Sequence, residues 1–431
     1  MKRLLLLFLF GFAFSQGLFE SATQTAALNY DLSGNMKTFM SLKEEDDSLI
    51  FSNMNAETSL KIKVEKDAFA YAFADIKFLH RTNPMEDETQ IILREAYVDI
   101  SPGIFNFRLG KQILPWGRTD MYKPTDNITP QDLRYWYTDP NDMRLGSFLF
   151  NSSVNLSSLI RVQTILIPFY NPDIFPVSLF EFPAMVTYEG LKPTTPYLRD
   201  SGLALKFDMR TSHYDVSFSY LNAYELQPAF ASSIELDPVT GMNISIFQEP
   251  WRQKVYGFDA AFNLNSWAYR FEGTYMHPDE SSSDYYTPKP EVQLTLGLDK
   301  TSGPLSVLCE YNLSIVPQYA ELSPPVNPML MVEHLLNTYN QLFYRQTDHF
   351  GHQILVRTAL DLFHETLSIE FPIAYNISTK DYLLSAHLTY HIADAVDIKL
   401  GAQRYGGEDN SLFELLKPLY NGYYCELKLS F

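Results

Sequence analysis

The chain has 431 residues, a net charge of −18 and only two cysteines. The acidic balance excludes a basic surface for nucleic acid, and two cysteines cannot form a disulfide framework. Aromatic residues make up 15% of the sequence, with 28 Tyr and 31 Phe, a content that suits lipid-facing rows and interface girdles and is equally compatible with an aromatic-rich soluble β-protein.

At the N-terminus, Lys2 and Arg3 precede an apolar run from Leu4 to Phe14, with Ala13 and Ser15 as small residues before a cleavage point. This pattern predicts an export signal over residues 1–15, followed by one domain over 16–431. The run is too short to span a bilayer, which takes about 20 residues. The rest of the chain has no long apolar run, so a membrane location requires strands rather than helices.

From Leu28 onward, apolar and polar residues alternate in segments of about ten residues, the length of a transmembrane strand. Leu60, Ile62 and Val64 oppose Lys61, Lys63 and Glu65. Phe105, Phe107 and Leu109 oppose Asn106, Arg108 and Gly110. Leu203, Leu205 and Phe207 oppose Lys206, Asp208 and Arg210. Leu305, Val307 and Cys309 oppose Glu310 and Asn312. A period of two puts each set on one face of a sheet. Short turns, as at Ser101–Gly103 and Thr301–Gly303, alternate with longer connections around Glu44, Asn83, Met121, Pro183, Pro238, Ser282, Pro325, Ser378 and Asp409. The predicted fold is an all-β, antiparallel transmembrane barrel of about 18 strands, with short periplasmic turns and long outer loops. Barrels of this size enclose an aqueous channel. Acidic runs at Glu44–Asp47, Glu86–Glu88, Asp279–Asp284 and Glu408–Asp409 read as solvated loops.

The densest stretch follows the Ser101–Gly103 turn. Pro115, Pro124, Pro130 and Pro140 stiffen a loop from Pro115 to Arg144, and Gly117 permits unusual dihedrals. In it, Asp120, Asp126, Asp132, Asp139 and Asp142 face Arg118, Lys123, Arg134 and Arg144. A rigid, cross-paired loop of this kind is expected to fold inward and narrow the lumen. Trp116, Tyr135, Trp136 and Tyr137 are expected in a girdle or in the core of the loop. Glu95, Asp99, Arg108 and Arg161 fall on the inward parity, with Arg108 and Arg161 as an anion-attracting stripe near the constriction. Most inward charges, including Glu272, Glu310 and Arg357, are expected in lumen-spanning ion pairs.

The run Arg94-Glu95-Ala96-Tyr97-Val98, a tight turn, Leu109-Gly110-Lys111-Gln112, Trp116-Gly117, Asp120, Pro124-Thr125-Asp126 and Pro130-Gln131-Asp132-Leu133-Arg134 resembles a family of outer-membrane barrels of unassigned function. It is more distantly similar to porin and alginate-export barrels. Lys111 stands where the pattern commonly has Arg, a departure that keeps the charge. The last segment, with Tyr423, Leu427, Leu429 and Phe431 on one face, resembles the C-terminal strand read during outer-membrane assembly. The resemblance implies a location in the outer membrane of a diderm bacterium, contact with its lipids and with the barrel-assembly machinery, and a small-molecule solute as the partner.

No catalytic motif occurs, and His387 and His391 alone do not make a metal site, so neither an enzyme activity nor a metal or cofactor is expected. The leading expectation is a porin-like channel for small solutes, narrowed by residues 115–144. The alternative is a barrel of a polysaccharide or lipid export system with periplasmic partners. An adhesin displaying the acidic loops is a third reading.

Overall fold

A computed structural model describes residues 28–431 apart from 46–47, 67–68, 83–86, 180–185, 238–240, 280–284 and 328–329. The expected signal over 1–15, and parts of the acidic runs near residues 46, 86 and 282, lie outside the described residues.

Among the described residues, twenty-one strands follow one another. They are β1 (Asn29–Glu45), β2 (Ser48–Lys66), β3 (Ala70–Thr82), β4 (Asp87–Ile100), β5 (Phe105–Gln112), β6 (Ser147–Asn155), β7 (Ile160–Ile167), β8 (Val186–Leu191), β9 (Gly202–Arg210), β10 (Tyr214–Tyr224), β11 (Ala229–Asp237), β12 (Gly241–Glu249), β13 (Arg252–Leu264), β14 (Trp267–Pro278), β15 (Glu291–Ser302), β16 (Leu305–Ile315), β17 (Phe350–Leu362), β18 (Leu367–Asn376), β19 (Asp381–Ala393), β20 (Val396–Gly406) and β21 (Gly422–Ser430). Among the described residues, two α-helices, α1 (Met331–Phe343) and α2 (Leu412–Tyr420), lie in the last long connections.

Eighteen of these strands pair antiparallel with their neighbours. The sheet closes through β1 and β21, in a register that runs from Asn35 opposite Ser430 to Leu42 opposite Tyr423. Closure leaves no free edge. The remaining three strands, β8, β11 and β12, form a small separate sheet at the loop end. Among the described residues, no helix is long and apolar enough to cross a membrane.

The two faces are inverted relative to a soluble protein. Leu109, Phe150, Leu205, Phe218, Leu296 and Leu427 are exposed on the outside, while Asp75, Lys77, Asp99, Asp259, Glu272 and Glu310 are buried within. Apolar rows exposed over a whole cylinder suit lipid. Cys309, exposed on the outer face, and Cys425 are both free thiols.

The turn end is uniformly tight. The loop end is less regular than the sequence suggests: only two residues separate β1 from β2, and four separate β3 from β4 and β18 from β19. The expected longer connections around Glu44, Asn83 and Ser378 are therefore short, because the flanking strands extend further than the sequence pattern suggests. β1 and β2 run for 17 and 19 residues, well past the ~10 residues needed to cross a membrane. The mass at the loop end comes from the connections that carry β8, β11, β12, α1 and α2. There, Phe230, Ile246, Leu336 and Phe343 join β11, β12 and α1 into one apolar cluster.

Candidate functional site

β5 stops after eight residues, and the chain turns into the barrel. Residues 113–146 then cross the lumen before β6 resumes pairing, with Gln112 opposite Ser147. Glu95 on β4 sets the departure, accepting a hydrogen bond from the Ile113 amide at 2.9 Å. Beyond it, Gly117 takes a φ of 98°. A Cβ there would meet the Glu272 carboxylate at 2.6 Å, so glycine is required for both the dihedral and the close approach.

Two carboxylates on the far wall hold the tip of the loop. Glu272 on β14 accepts from the amides of Arg118 and Thr119, from the Thr119 hydroxyl at 2.7 Å and from the Thr125 hydroxyl at 2.8 Å. Glu310 on β16 accepts from the amides of Asp120 at 2.6 Å and of Met121 and Tyr122 at 3.1 Å. These bonds satisfy amides that would otherwise be orphaned inside the barrel, and each is strengthened by the carboxylate charge. The Arg118 guanidinium pairs with Asp259, with Asp215 at 3.1 Å and with Asp208 at 3.6 Å.

The near side of the loop is packed rather than paired. Trp116 is 5% exposed, against Ile128, Leu149, Ile165, Ala204, Leu221 and Val255. Trp116 belongs to the core of the loop and not to a membrane girdle. Trp136 likewise meets Phe39 and Tyr424 inside the barrel, at 6.2 and 5.2 Å between ring centres. The cluster uses apolar residues at inward positions of β6, β7, β9, β10 and β13. Sequence reading passed over them because each is a single exception to the alternation. Their recurrence on neighbouring strands is the signal that was available.

The other acidic residues of the loop fix its shape. Asp126 accepts from the Trp116 amide and pairs with Arg144 at 2.8 Å. Asp132 takes a fork of bonds from Arg134, at 2.9 and 2.7 Å. Asp142 joins Lys37 and lies 3.9 Å from Lys77 and 3.7 Å from Arg94. These three cations hold the Asp142 carboxyl below the usual carboxylate range, overcoming the effect of its burial. Asp120 is the exception: its side chain is 38% exposed and reaches Arg270 at 2.6 Å.

Arg108 and Arg161 line one cavity of about 310 Å³ with Trp116, Arg118 and Lys206, on the turn side of the loop. Arg108 is already engaged by Asp99 at 2.8 Å, donates to the Tyr71 hydroxyl at 2.8 Å and lies over the Tyr97 ring. Asp99 also accepts from Asn106 at 2.6 Å. A second cavity on the turn side, of about 410 Å³, lies along β14 to β18. A third, of about 730 Å³, lies on the loop side under α1. His387 and His391 do not act together: the first lies 3.4 Å from Glu370, the second 2.6 Å from Asp397. Tyr423, Leu427, Leu429 and Phe431 are all exposed on the outer face.

No protein-family model matches the chain, and no curated protein matches it. Several solved structures do. OccK2 (OpdF) of Pseudomonas aeruginosa in complex with glucuronate aligns with a TM-score of 0.52 and 10% identity, over 94% of this chain and 97% of its own. OccAB3 of Acinetobacter baumannii aligns with a TM-score of 0.53 and 9% identity, over 94% and 98%. OccK9 (OpdG) of P. aeruginosa gives 0.54 and 8%, over 94% and 98%. These neighbours are outer-membrane porins. At such identities the likeness is one of architecture, and this chain has the fold of an outer-membrane porin.

Proposed function

We propose that this protein is a passive channel for small solutes in the outer membrane of a diderm bacterium. The observation that carries the reading is the inward loop, tied to the far wall by Glu272 and Glu310. A closed barrel of 18 strands is wide enough for water, and a pinned loop across it leaves a passage suited to small solutes only. On this reading the short turns face the periplasm, the outer rows contact lipid, and the last strand, ending on Phe431, is read by the barrel-assembly machinery. The distant similarity to alginate-export barrels rests on Leu109–Gln112 and carries no separate reading.

OccK2 was crystallised with glucuronate, so sugar acids are the first solutes to test. Folded protein in planar bilayers is expected to give stepwise conductance. In liposomes it is expected to admit glucuronate faster than a trisaccharide. Protein that folds but gives neither conductance nor flux would overturn the proposal.

A further inference from the structure

Three of the cavities in the lumen, two on the turn side of the loop and one on the loop side, are not equivalent. The large loop-side cavity and the turn-side cavity along β14–β18 share two lining residues, Asp120 and Arg357. The cavity with Arg108 and Arg161 shares none with the loop-side cavity. Its roof is the segment from Leu114 to Arg118. Above that segment Trp116, Leu149, Ile165 and Ala204 pack with exposures of 5% or less. A dry apolar seal stops ions because it offers nothing to replace their water.

Two more apolar contacts pack inward elements against other sectors of the wall. Phe413 of α2 packs with Leu355 and Ala374 on the wall and with Met121 and Tyr122 of the loop. Trp136 packs with Phe39 and Tyr424 on β1 and β21. Between these contacts the lining is polar. Asp120 is tied through its amide to Glu310 and through its carboxylate to Arg270, which also pairs with Asp299 at 2.7 Å. Arg357, on β17, forms no ion pair among the described residues, and it lines the cavities above and below.

We infer that solutes cross the barrel through a single waist between Asp120 and Arg357, and that the basic cavity around Arg108 and Arg161 is a blind side pocket. The inference rests on the channel reading above and assigns its route. Asp120 and Asp299 share the single guanidinium of Arg270, and Arg357 is the cation of the waist that stands outside any ion pair among the described residues. A small anion passing the waist meets the unpaired Arg357 guanidinium, and removing that charge would leave the carboxylates of the waist in excess.

The test uses the full chain in planar bilayers, in a Cys309→Ser, Cys425→Ser background. Ala359→Cys places a thiol in the turn-side cavity one pleat from Arg357, and Arg161→Cys places one in the blind pocket. A bulky methanethiosulfonate added from the turn side is expected to remove about half or more of the current through Ala359→Cys, as an obstructed constriction requires. The same reagent is expected to leave the Arg161→Cys current unchanged. As an independent readout, Arg357→Gln is expected to shift the reversal potential in a KCl gradient toward cations. Block through Arg161→Cys, or no block through Ala359→Cys, would overturn the route, as would an unchanged reversal potential in Arg357→Gln. Absence of any current in the unmodified protein would instead overturn the channel reading itself.

Discussion

Single carboxylates decide where the loop lies. Glu272 and Glu310 each gather several donors from residues 118–125, and hydrogen bonds to a charged group are each worth about 1.5–3 kcal/mol. Glu310→Gln keeps the shape but loses the charge and half the acceptors. It is expected to raise the rate of proteolytic cutting within 115–144 several-fold, and Glu272→Gln together with Glu310→Gln to raise it further. Cutting rates equal to those of the unaltered protein would show that apolar packing alone holds the loop. A second residue-scale device sits at the mouth. Asp173 accepts from the Gln131 amide at 2.7 Å, and Glu225 lies in the same half-buried group beside Gln253. Burial raises both carboxyls above their usual range, and in Glu225 the nearby Asp173 charge raises it further. A raised carboxyl stabilises the folded contact fully below the unfolded value, about 4. That contribution is lost as the pH rises through the raised folded value. The loop contact at Gln131 should therefore loosen progressively as the pH rises from about 4 to about 8. Protease cutting that rises over this interval, and is flattened in Asp173→Asn, is the expected result.

At the scale of elements, the loop and α2 are separate pieces docked inside a finished wall. Trp116→Ala removes a fully packed ring, at a cost of about 3–5 kcal/mol, from a loop whose other apolar contacts on its near side are the smaller Ile128 and Leu114. The expected outcome is a barrel that still folds but whose residues 113–146 exchange amide hydrogens faster, while those of β1–β4 do not change. Equal loss of protection throughout would mean that the loop and barrel fold as one unit. The strands were legible in the sequence because lipid on one side and water on the other enforce a period of two over the whole chain. The loop's inward course was legible only as an expectation from its prolines and paired charges. Its docking partners were not, since Leu149, Ile165 and Ala204 look like isolated breaks in the pattern until the strands are placed side by side. α1, α2 and the small β8–β11–β12 sheet were equally hidden. Their apolar faces answer to one another across long sequence separations, as Leu336 of α1 and Leu412 of α2 do in the cluster of Phe230 and Ile246.

At the scale of the whole molecule, the sequence conveyed the closed cylinder of about 18 strands but not how full it is. Among the inward candidates, Arg108, Arg161, Arg118 and Trp116 gather in one pocket, whereas Asp120 points into another and Asp126, Asp132 and Asp142 serve the loop's own shape. A chain can reveal which residues face inward through parity alone, but which of them meet depends on the path of a loop that has no period. A closed barrel with all its edges paired resists detergent, so the protein is expected to migrate differently on a gel before and after boiling; identical migration would count against closure. The pinned, narrowed lumen is tested most directly by single-channel conductance of the unaltered protein against Glu272→Gln/Glu310→Gln. The expected result is small uniform steps that become larger and noisier once the loop is released; identical steps in the two proteins, with the loop shown to be free, would contradict it.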